Sequence, residues 1–204
     1  MGRTLVIDTA TSACSVALFD GEVLVARAHD VVGRGHAERL VPVIAALPDG
    51  GRAEAILVDV GPGSFTGIRV GIAAARGLAL GWGADVTGYN SLALVAAAAL
   101  ADAAVPELAV VMEGGHGEVF MQEFAAPFRP LSAPRSLTPA AALDALGGRP
   151  AVGTGLARLQ AIDPAVEVRE ALPDAARALL LPPAERALPP SPRYGRAPDA
   201  KVPG

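Results

Sequence analysis

Short apolar runs and longer helical periods divide this chain of 204 residues into strands and helices. Runs of roughly four to eight apolar or alternating residues between turn signals are typical of strands. They predict strands at Leu5–Ile7, Cys14–Phe19, Glu22–Ala28, Ala55–Val60, Val86–Thr87, Leu108–Met112, Glu118–Phe124 and Ala151–Gly153. Apolar positions three and four apart, with capping residues, predict helices at His36–Leu47, Thr66–Leu80, Ser91–Ala103, Pro139–Leu146 and Asp174–Leu181.

The two halves of the chain open with the same order of elements. A strand ending in an acid, a turn and a second strand occur at Thr4–Phe19 and again at Leu108–Phe124. This repetition predicts two α/β lobes, each with a mixed sheet flanked by helices. We expect lobes at residues 1–104 and 105–181. The remaining residues, 182–204, include 7 prolines among 23 residues, which favours an extended tail over the surface or a partly mobile one.

Composition limits the classes of function. With 51% hydrophobic and 19% charged residues, the chain can bury a substantial core. Its net charge of −4 provides no basic face for RNA or DNA, so contact with nucleic acid would require a more positive partner. Cys14 is the only cysteine, and no apolar run suggests a signal peptide or a membrane span. We therefore expect a cytoplasmic protein without membrane contact.

A glycine-rich turn, Gly61–Gly67, leads from a strand into a helix, which is the usual shape of a phosphate cradle. Ile68 and Arg69 follow it, so the phosphate-binding lysine of a P-loop is missing. Gly61, Gly63 and Ser64 are candidate contacts for a nucleotide or another anion. Alternatively, the glycines only allow a sharp turn and tight packing.

Asp8, at the end of the first strand, is a candidate for holding Mg²⁺ beside nucleotide phosphates, with Thr9 and Thr11 as donors. The alternative is a structural acid that accepts hydrogen bonds from turn amides, and the absence of a lysine favours it. His36 suggests a metal ligand, but Leu40 stands one helical turn later where a second ligand would be needed. We predict no metal site, no nucleophile triad and hence no catalytic residue.

Two helices carry too few charges for an ordinary surface helix. Between Gly67 and Leu80 the only charges are Arg69 and Arg76, and the helix beginning at His36 has only two. Such helices are either internal or covered by a partner, and the small size of the chain favours a partner. The predicted contact residues are His36, Leu40, Ile44, Gly67, Ile68, Gly71, Ile72 and Ala75. On this interpretation Gly71→Arg gives a folded monomer.

Several motifs in this chain are specific when taken together. They are Ile7–Thr11, Gly35–Leu40, Gly61–Gly71 (GPGSFTGIRVG), Gly117–Phe120 and Tyr194–Ala200. This set closely resembles the bacterial TsaB family, formerly YeaZ. Gly195 departs from the family pattern, which usually has leucine there.

The resemblance implies an actin-like ATPase fold of two ribonuclease-H-like lobes. It also implies a non-catalytic dimerisation or scaffold subunit that binds and activates TsaD, together with TsaE, for threonylcarbamoyl transfer to adenosine next to the tRNA anticodon. The chain would form a homodimer when alone and meet tRNA only within the complex. No cofactor would be required, although weak binding of ATP or ADP with Mg²⁺ stays open. The alternatives are a small nucleotide-hydrolysing enzyme of the actin-like class and, more remotely, a peptidase.

Overall fold

The structure, a computed structural model, describes residues 2–195; the remainder of the predicted tail, 196–204, lies outside the described residues. The strands of the first half are β1 (Arg3–Asp8), β2 (Ala13–Asp20), β3 (Val23–Val31), β4 (Ala55–Asp59) and β5 (Asp85–Tyr89). Those of the second half are β6 (Glu107–Glu113), β7 (Val119–Ala125), β8 (Arg129–Pro130), β9 (Arg135–Leu137), β10 (Ala151–Gly153) and β11 (Val168–Glu170). The helices are α1 (His36–Ala45), α2 (Phe65–Trp82), α3 (Ser91–Asp102), α4 (Pro139–Leu146) and α5 (Leu156–Gln160).

Two mixed sheets share one strand arrangement. The first sheet has the order β3-β2-β1-β4-β5, in which β2 is antiparallel to β1 and β3, while β1, β4 and β5 are parallel. The second has the order β11-β10-β6-β7-β8, with β9 also on β7 and the same pattern of antiparallel and parallel pairs. The predicted α/β class with two mixed sheets flanked by helices is therefore confirmed.

Alternation along the strands sends side chains into separate cores. In β1, Leu5 and Ile7 enter the outer core beneath α1 and α2, whereas Val6 enters the core that faces α3. Strand β6 alternates in the same way, because Leu108 and Val110 face α3 while Ala109 packs beneath α4 and α5. Both faces of each sheet are covered, which explains why these strands are almost continuously apolar.

Helix α3 packs in the core between the two sheets. Every residue from Ser91 to Ala97 is buried, and the core around the helix takes side chains from β1, β2, β4, β6, β7 and β10. An alanine-rich helix suits this position because its narrow sides allow two sheets to approach. Among the described residues, no helix is both long and apolar enough to cross a membrane.

Some elements differ from the sequence prediction. Asp174–Leu181 was predicted as a helix, and Ala175–Leu180 is instead a 3₁₀ helix in which the Ala176 amide donates to the Asp174 carboxylate at 2.9 Å. The sequence did not predict strands β8, β9 and β11 or the short helix α5. Each is two to five residues long, so none contains a full apolar period.

Helix α2 lies directly on the turn that follows β1. The Thr9 hydroxyl donates to the Gly67 carbonyl at 2.8 Å, and the Ser64 amide donates to the Ala10 carbonyl at 2.6 Å. A Cβ atom at Gly67 would overlap the Thr9 carbonyl oxygen, and one at Gly71 would lie 2.5 Å from the Thr9 hydroxyl oxygen. The small residues predicted to admit a partner helix therefore admit this chain's own backbone.

This packing predicts opposite effects for two glycines of the same helix. Gly67→Ala should lower the free energy of unfolding by about 2 kcal/mol or more, because the methyl group displaces the turn after β1. Gly77→Ala has open space around the new Cβ and should raise it by up to about 1 kcal/mol through the better helix propensity of alanine. Urea unfolding of both variants tests the pair, and an equal effect in both would contradict the described approach.

Candidate functional site

The eight residues predicted as partner contacts lie inside the chain's own fold. Each has less than a tenth of its surface exposed, and the apolar ones among them belong to the core under α1 and α2. The prediction that these residues contact a partner is therefore corrected, because they face the interior of this chain. They are His36, Leu40, Ile44, Gly67, Ile68, Gly71, Ile72 and Ala75. For the same reason, Gly71→Arg should prevent folding and not give a folded monomer.

Helix α2 has a second row of small and apolar residues that faces outward. We call this row the outer stripe of α2; its members are the exposed residues Ala73, Gly77, Leu80 and Gly81. At 100° per residue these positions share one side of the helix, opposite the buried Ile68, Ala75 and Ala79. Leu80 is 89% exposed, and no atom lies within 4 Å of where a Cβ at Gly77 or Gly81 would stand.

Helix α1 repeats this arrangement. Ala37, Val41 and Ala45 recur every fourth residue and are exposed, whereas Leu40 and Ile44 point into the same core as the inner side of α2. Because both helices cover one face of the first sheet, their outward rows face away from that sheet. The result is a largely apolar helical surface in which Glu38, beside Ala45, is an exposed charge. Apolar surfaces of this kind often mark interaction sites.

Asp8 and Asp59 form a buried acid pair at the carboxyl ends of β1 and β4. Both side chains are at most 1% exposed. The Tyr89 hydroxyl donates to Asp8 Oδ2 at 2.7 Å, and the Ser91 hydroxyl lies 2.6 Å from Asp59 Oδ2. The Gly61 amide donates to Asp59 Oδ1 at 2.7 Å, and the two carboxyl groups are hydrogen-bonded to each other.

A single proton shared between Asp8 and Asp59 explains how two adjacent carboxyl groups can be buried together. Removal from water raises the pKa of both carboxyl groups, and the negative charge of Asp59 raises that of Asp8 further. Asp59 has the better donors, from Ser91 and Gly61, so Asp59 is the ionised member and Asp8 donates its proton to it. This geometry supports the structural interpretation of Asp8 over a role in holding Mg²⁺.

The other predicted nucleotide contacts are largely engaged within the chain. Thr9 is buried and bonded to α2, and the Thr11 hydroxyl accepts from the Ala13 amide at 3.2 Å. The Gly61 amide is used by Asp59, and the Ser64 hydroxyl caps α2 by accepting from the Gly67 amide at 3.2 Å. A Cβ at Gly63 would overlap the Ala10 carbonyl oxygen, so this glycine serves close packing.

Two of the three histidines, His29 and His36, have hydrogen-bonding neighbours within the chain. His36 begins α1 and lies 3.2 Å from the Ala13 carbonyl through Nε2, and His29 Nδ1 lies 3.0 Å from the Ser15 hydroxyl. Between residues 2 and 195, no group of three or more histidine, cysteine, aspartate or glutamate side chains is arranged to hold a metal ion.

Sequence reasoning missed the outer stripe and Asp59. Both left a signal: Ala73, Gly77 and Gly81 repeat every fourth residue just as Gly67, Gly71 and Ala75 do, and Asp59 ends a buried strand as Asp8 does. The strand was instead predicted to continue to Val60, which concealed the second acid.

The two sheets, their shared order and the helices between and around them define an α/β protein of the actin-like ATPase fold. A family model described as TsaD: tRNA N6-adenosine threonylcarbamoyltransferase matches residues 30–147, more than half of the chain. The chain belongs to this family, and within it the predicted resemblance to the TsaB (YeaZ) proteins is confirmed.

Individual relatives agree with this placement. The chain is 38% identical over 129 residues to the tRNA threonylcarbamoyladenosine biosynthesis protein TsaB of Escherichia coli K12, which covers 60% of this chain and 54% of that protein. It is 35% identical over 131 residues to the tRNA N6-adenosine threonylcarbamoyltransferase of Solidesulfovibrio magneticus, covering 61% of this chain and 34% of that enzyme. YeaZ from Pseudomonas aeruginosa superposes with a TM-score of 0.74 at 28% identity, covering 88% of this chain and 89% of that one. The sequence match thus spans about half the length of the TsaB relative, and the structural match spans most of YeaZ.

The acid pair predicts an unusual pH dependence. Because the pKa of Asp8 is higher in the folded than in the unfolded chain, its contribution to stability is complete below the unfolded pKa, near 4, and is lost as pH rises through the folded pKa. An amide at this position cannot ionise. We expect the stability of Asp8→Asn, relative to the unsubstituted chain, to rise by on the order of 1 kcal/mol between pH 5 and pH 8 in urea unfolding.

Asp20→Asn is the matched control, because Asp20 ends β2 as an exposed acid. Its stability relative to the unsubstituted chain should not change between the two pH values. A loss of stability in Asp8→Asn that is the same at pH 5 and pH 8 would contradict the shared proton.

Proposed function

We propose that this chain is a non-catalytic subunit that binds a TsaD enzyme and holds it in an active state for threonylcarbamoyl transfer to adenosine beside the tRNA anticodon. The observation that carries the proposal is the largely apolar surface formed by the outer stripe of α2 and by Ala37, Val41 and Ala45 on α1. The family membership and the name of the E. coli relative, a threonylcarbamoyladenosine biosynthesis protein, supply the pathway.

The shape of this surface suits another helix pair. Gly77 and Gly81 carry no side chain, and Ala73 carries only a methyl group, so a partner helix can approach the α2 backbone closely. The exposed Leu80 and Val41 would supply apolar area at the contact. The same surface can pair with a second copy of this chain, so we propose a homodimer in the absence of TsaD and a heterodimer in its presence.

The proposal places the chemistry in the partner. The Asp8 carboxyl is sealed from solvent, and donors of the glycine-rich turn are used inside the chain, which supports a structural role for both. Contact with TsaE, and with tRNA only through the complex, in the cytoplasm, belongs to the same proposal. It requires no cofactor, while weak binding of ATP or ADP with Mg²⁺ is a separate prediction that calorimetry can test.

Blocking the outer stripe should separate binding from folding. We expect Gly77→Arg to remain folded, because the new side chain enters open space, but to lose at least about tenfold in affinity for TsaD from the same organism. Ala141→Arg is the matched control, since Ala141 is an exposed small residue on α4, on the other sheet. Co-purification and light scattering measure the heterodimer and the homodimer.

Reconstitution completes the test. Threonylcarbamoyl transfer to tRNA should require both TsaD and this chain, should survive Ala141→Arg and should fail with Gly77→Arg. The proposal is wrong if this chain, alone, turns over ATP and loses that activity in Asp8→Asn, or if Gly77→Arg binds TsaD as tightly as the unsubstituted chain does.

A further inference from the structure

The C-terminal segment Leu188–Gly195 runs along α2 and the first sheet. At its start, Leu188 and Gly88 of β5 exchange backbone hydrogen bonds of 2.7 and 3.0 Å. Farther along, the Arg193 amide donates to the Val60 carbonyl at 2.7 Å. Pro189, Pro190 and Pro192 have no amide hydrogen, so the segment cannot continue as a full strand and makes only these separate contacts.

Both charges of α2 are bound by this segment. Arg76 donates to the Pro190 carbonyl at 2.7 Å, and Arg69 donates through Nε to the Tyr194 hydroxyl at 2.8 Å. The arginines are two helical turns apart, about 10 Å. Four residues of extended proline-rich chain span about 12 Å, so Pro190 and Tyr194 have the spacing that meets both.

An aromatic contact also holds Tyr194, near the C-terminal end of this segment, against α2. The Arg69 guanidinium lies 3.5 Å from the centre of the Phe65 ring, and the rings of Phe65 and Tyr194 are 4.9 Å apart. An arginine over aromatic faces gains cation–π attraction in addition to its hydrogen bond. Arg69 is therefore held on two sides by groups of its own chain.

Glycines in the first half of the chain make room for the C-terminal segment. A Cβ at Gly88 would lie 2.5 Å from Val60 and 3.2 Å from the Pro189 carbonyl oxygen, and one at Gly61 would lie 2.6 Å from the Arg193 carbonyl oxygen. Gly195 continues this fit, because a Cβ there would stand 2.6 Å from the Phe120 ring on β7. The segment thus reaches from the edge of the first sheet to the second, which accounts for glycine where the TsaB pattern usually has leucine.

We propose that Leu188–Gly195 is an intramolecular strap that binds the arginine edge of α2 and thereby sets the affinity of the outer stripe for its partner. The part that concerns partner affinity rests on the proposed function. Arg69 and Arg76 lie along one border of the outer stripe, at 100° per residue. Held by the strap, their charges and long side chains are kept off the surface where a partner helix would pack.

A double-mutant cycle tests the strap. Arg69→Met keeps most of the aliphatic stem, and Tyr194→Phe keeps the ring while removing the hydroxyl acceptor. Each change should speed trypsin cleavage after Arg193 by about three- to tenfold, because that bond is protected only while the strap is bound. The double variant should be no faster than the faster single variant, since both remove one interaction.

Arg39→Met is the control, because Arg39 is an exposed helical arginine that pairs with Asp30 on β3, away from the strap. It should leave cleavage unchanged and combine additively with Tyr194→Phe. Unchanged cleavage in Arg69→Met and Tyr194→Phe, or additive effects of the two, would overturn the strap.

Affinity for TsaD gives the second measurement. The same two variants should weaken binding by a similar factor, again without further loss in the double variant. Faster cleavage with unaltered affinity would overturn the link between strap and partner. If the unsubstituted chain fails to bind TsaD at all, the proposed function fails instead, and cleavage still decides whether the strap exists.

Discussion

The close approach of α2 to the turn after β1 is the constraint on which the rest of the structure depends. Hydrogen bonds join the Thr9 hydroxyl to the Gly67 carbonyl and the Ser64 amide to the Ala10 carbonyl, at a separation that leaves no room for a Cβ at Gly63 or Gly67. Two consequences follow. The inner row of small residues on α2 faces the chain's own backbone, and the turn closes over the carboxyl ends of β1 and β4.

Because the turn closes over these strand ends, Asp8 and Asp59 are buried side by side. A buried carboxylate without compensation is costly, and two adjacent carboxylates repel each other. A single proton between them, with donors from Tyr89, Ser91 and Gly61, removes most of that cost. The location that suggests a nucleotide site from sequence therefore holds a closed hydrogen-bond network linking β1, β4, β5 and the start of α3.

The sequence predicted the elements with a full period and failed where the pattern has two solutions. Strands such as β1 and β6 were found because their apolar runs end in an acid, and the repetition of strand, turn and strand indicated the two sheets. Four-residue spacing of small residues on α2 was recognised, but Gly67, Gly71 and Ala75 share that spacing with Ala73, Gly77 and Gly81. Only the tertiary contact with Thr9 decides which row is buried, and that contact joins residues 58 positions apart.

Different sides of α2 pack against different parts of the chain. This packing explains why the helix carries only two charged residues, Arg69 and Arg76. The inner row must be small to meet the turn after β1, and the strap binds the two arginines along one border. The outer stripe is the part of α2 that faces outward, and it needs no polar residue if a partner protein covers it. A helix exposed to water on that side would ordinarily carry a wide polar face. The two arginines of α2 are therefore bound by its own chain, and on the proposed function the outer stripe is the side that a partner covers.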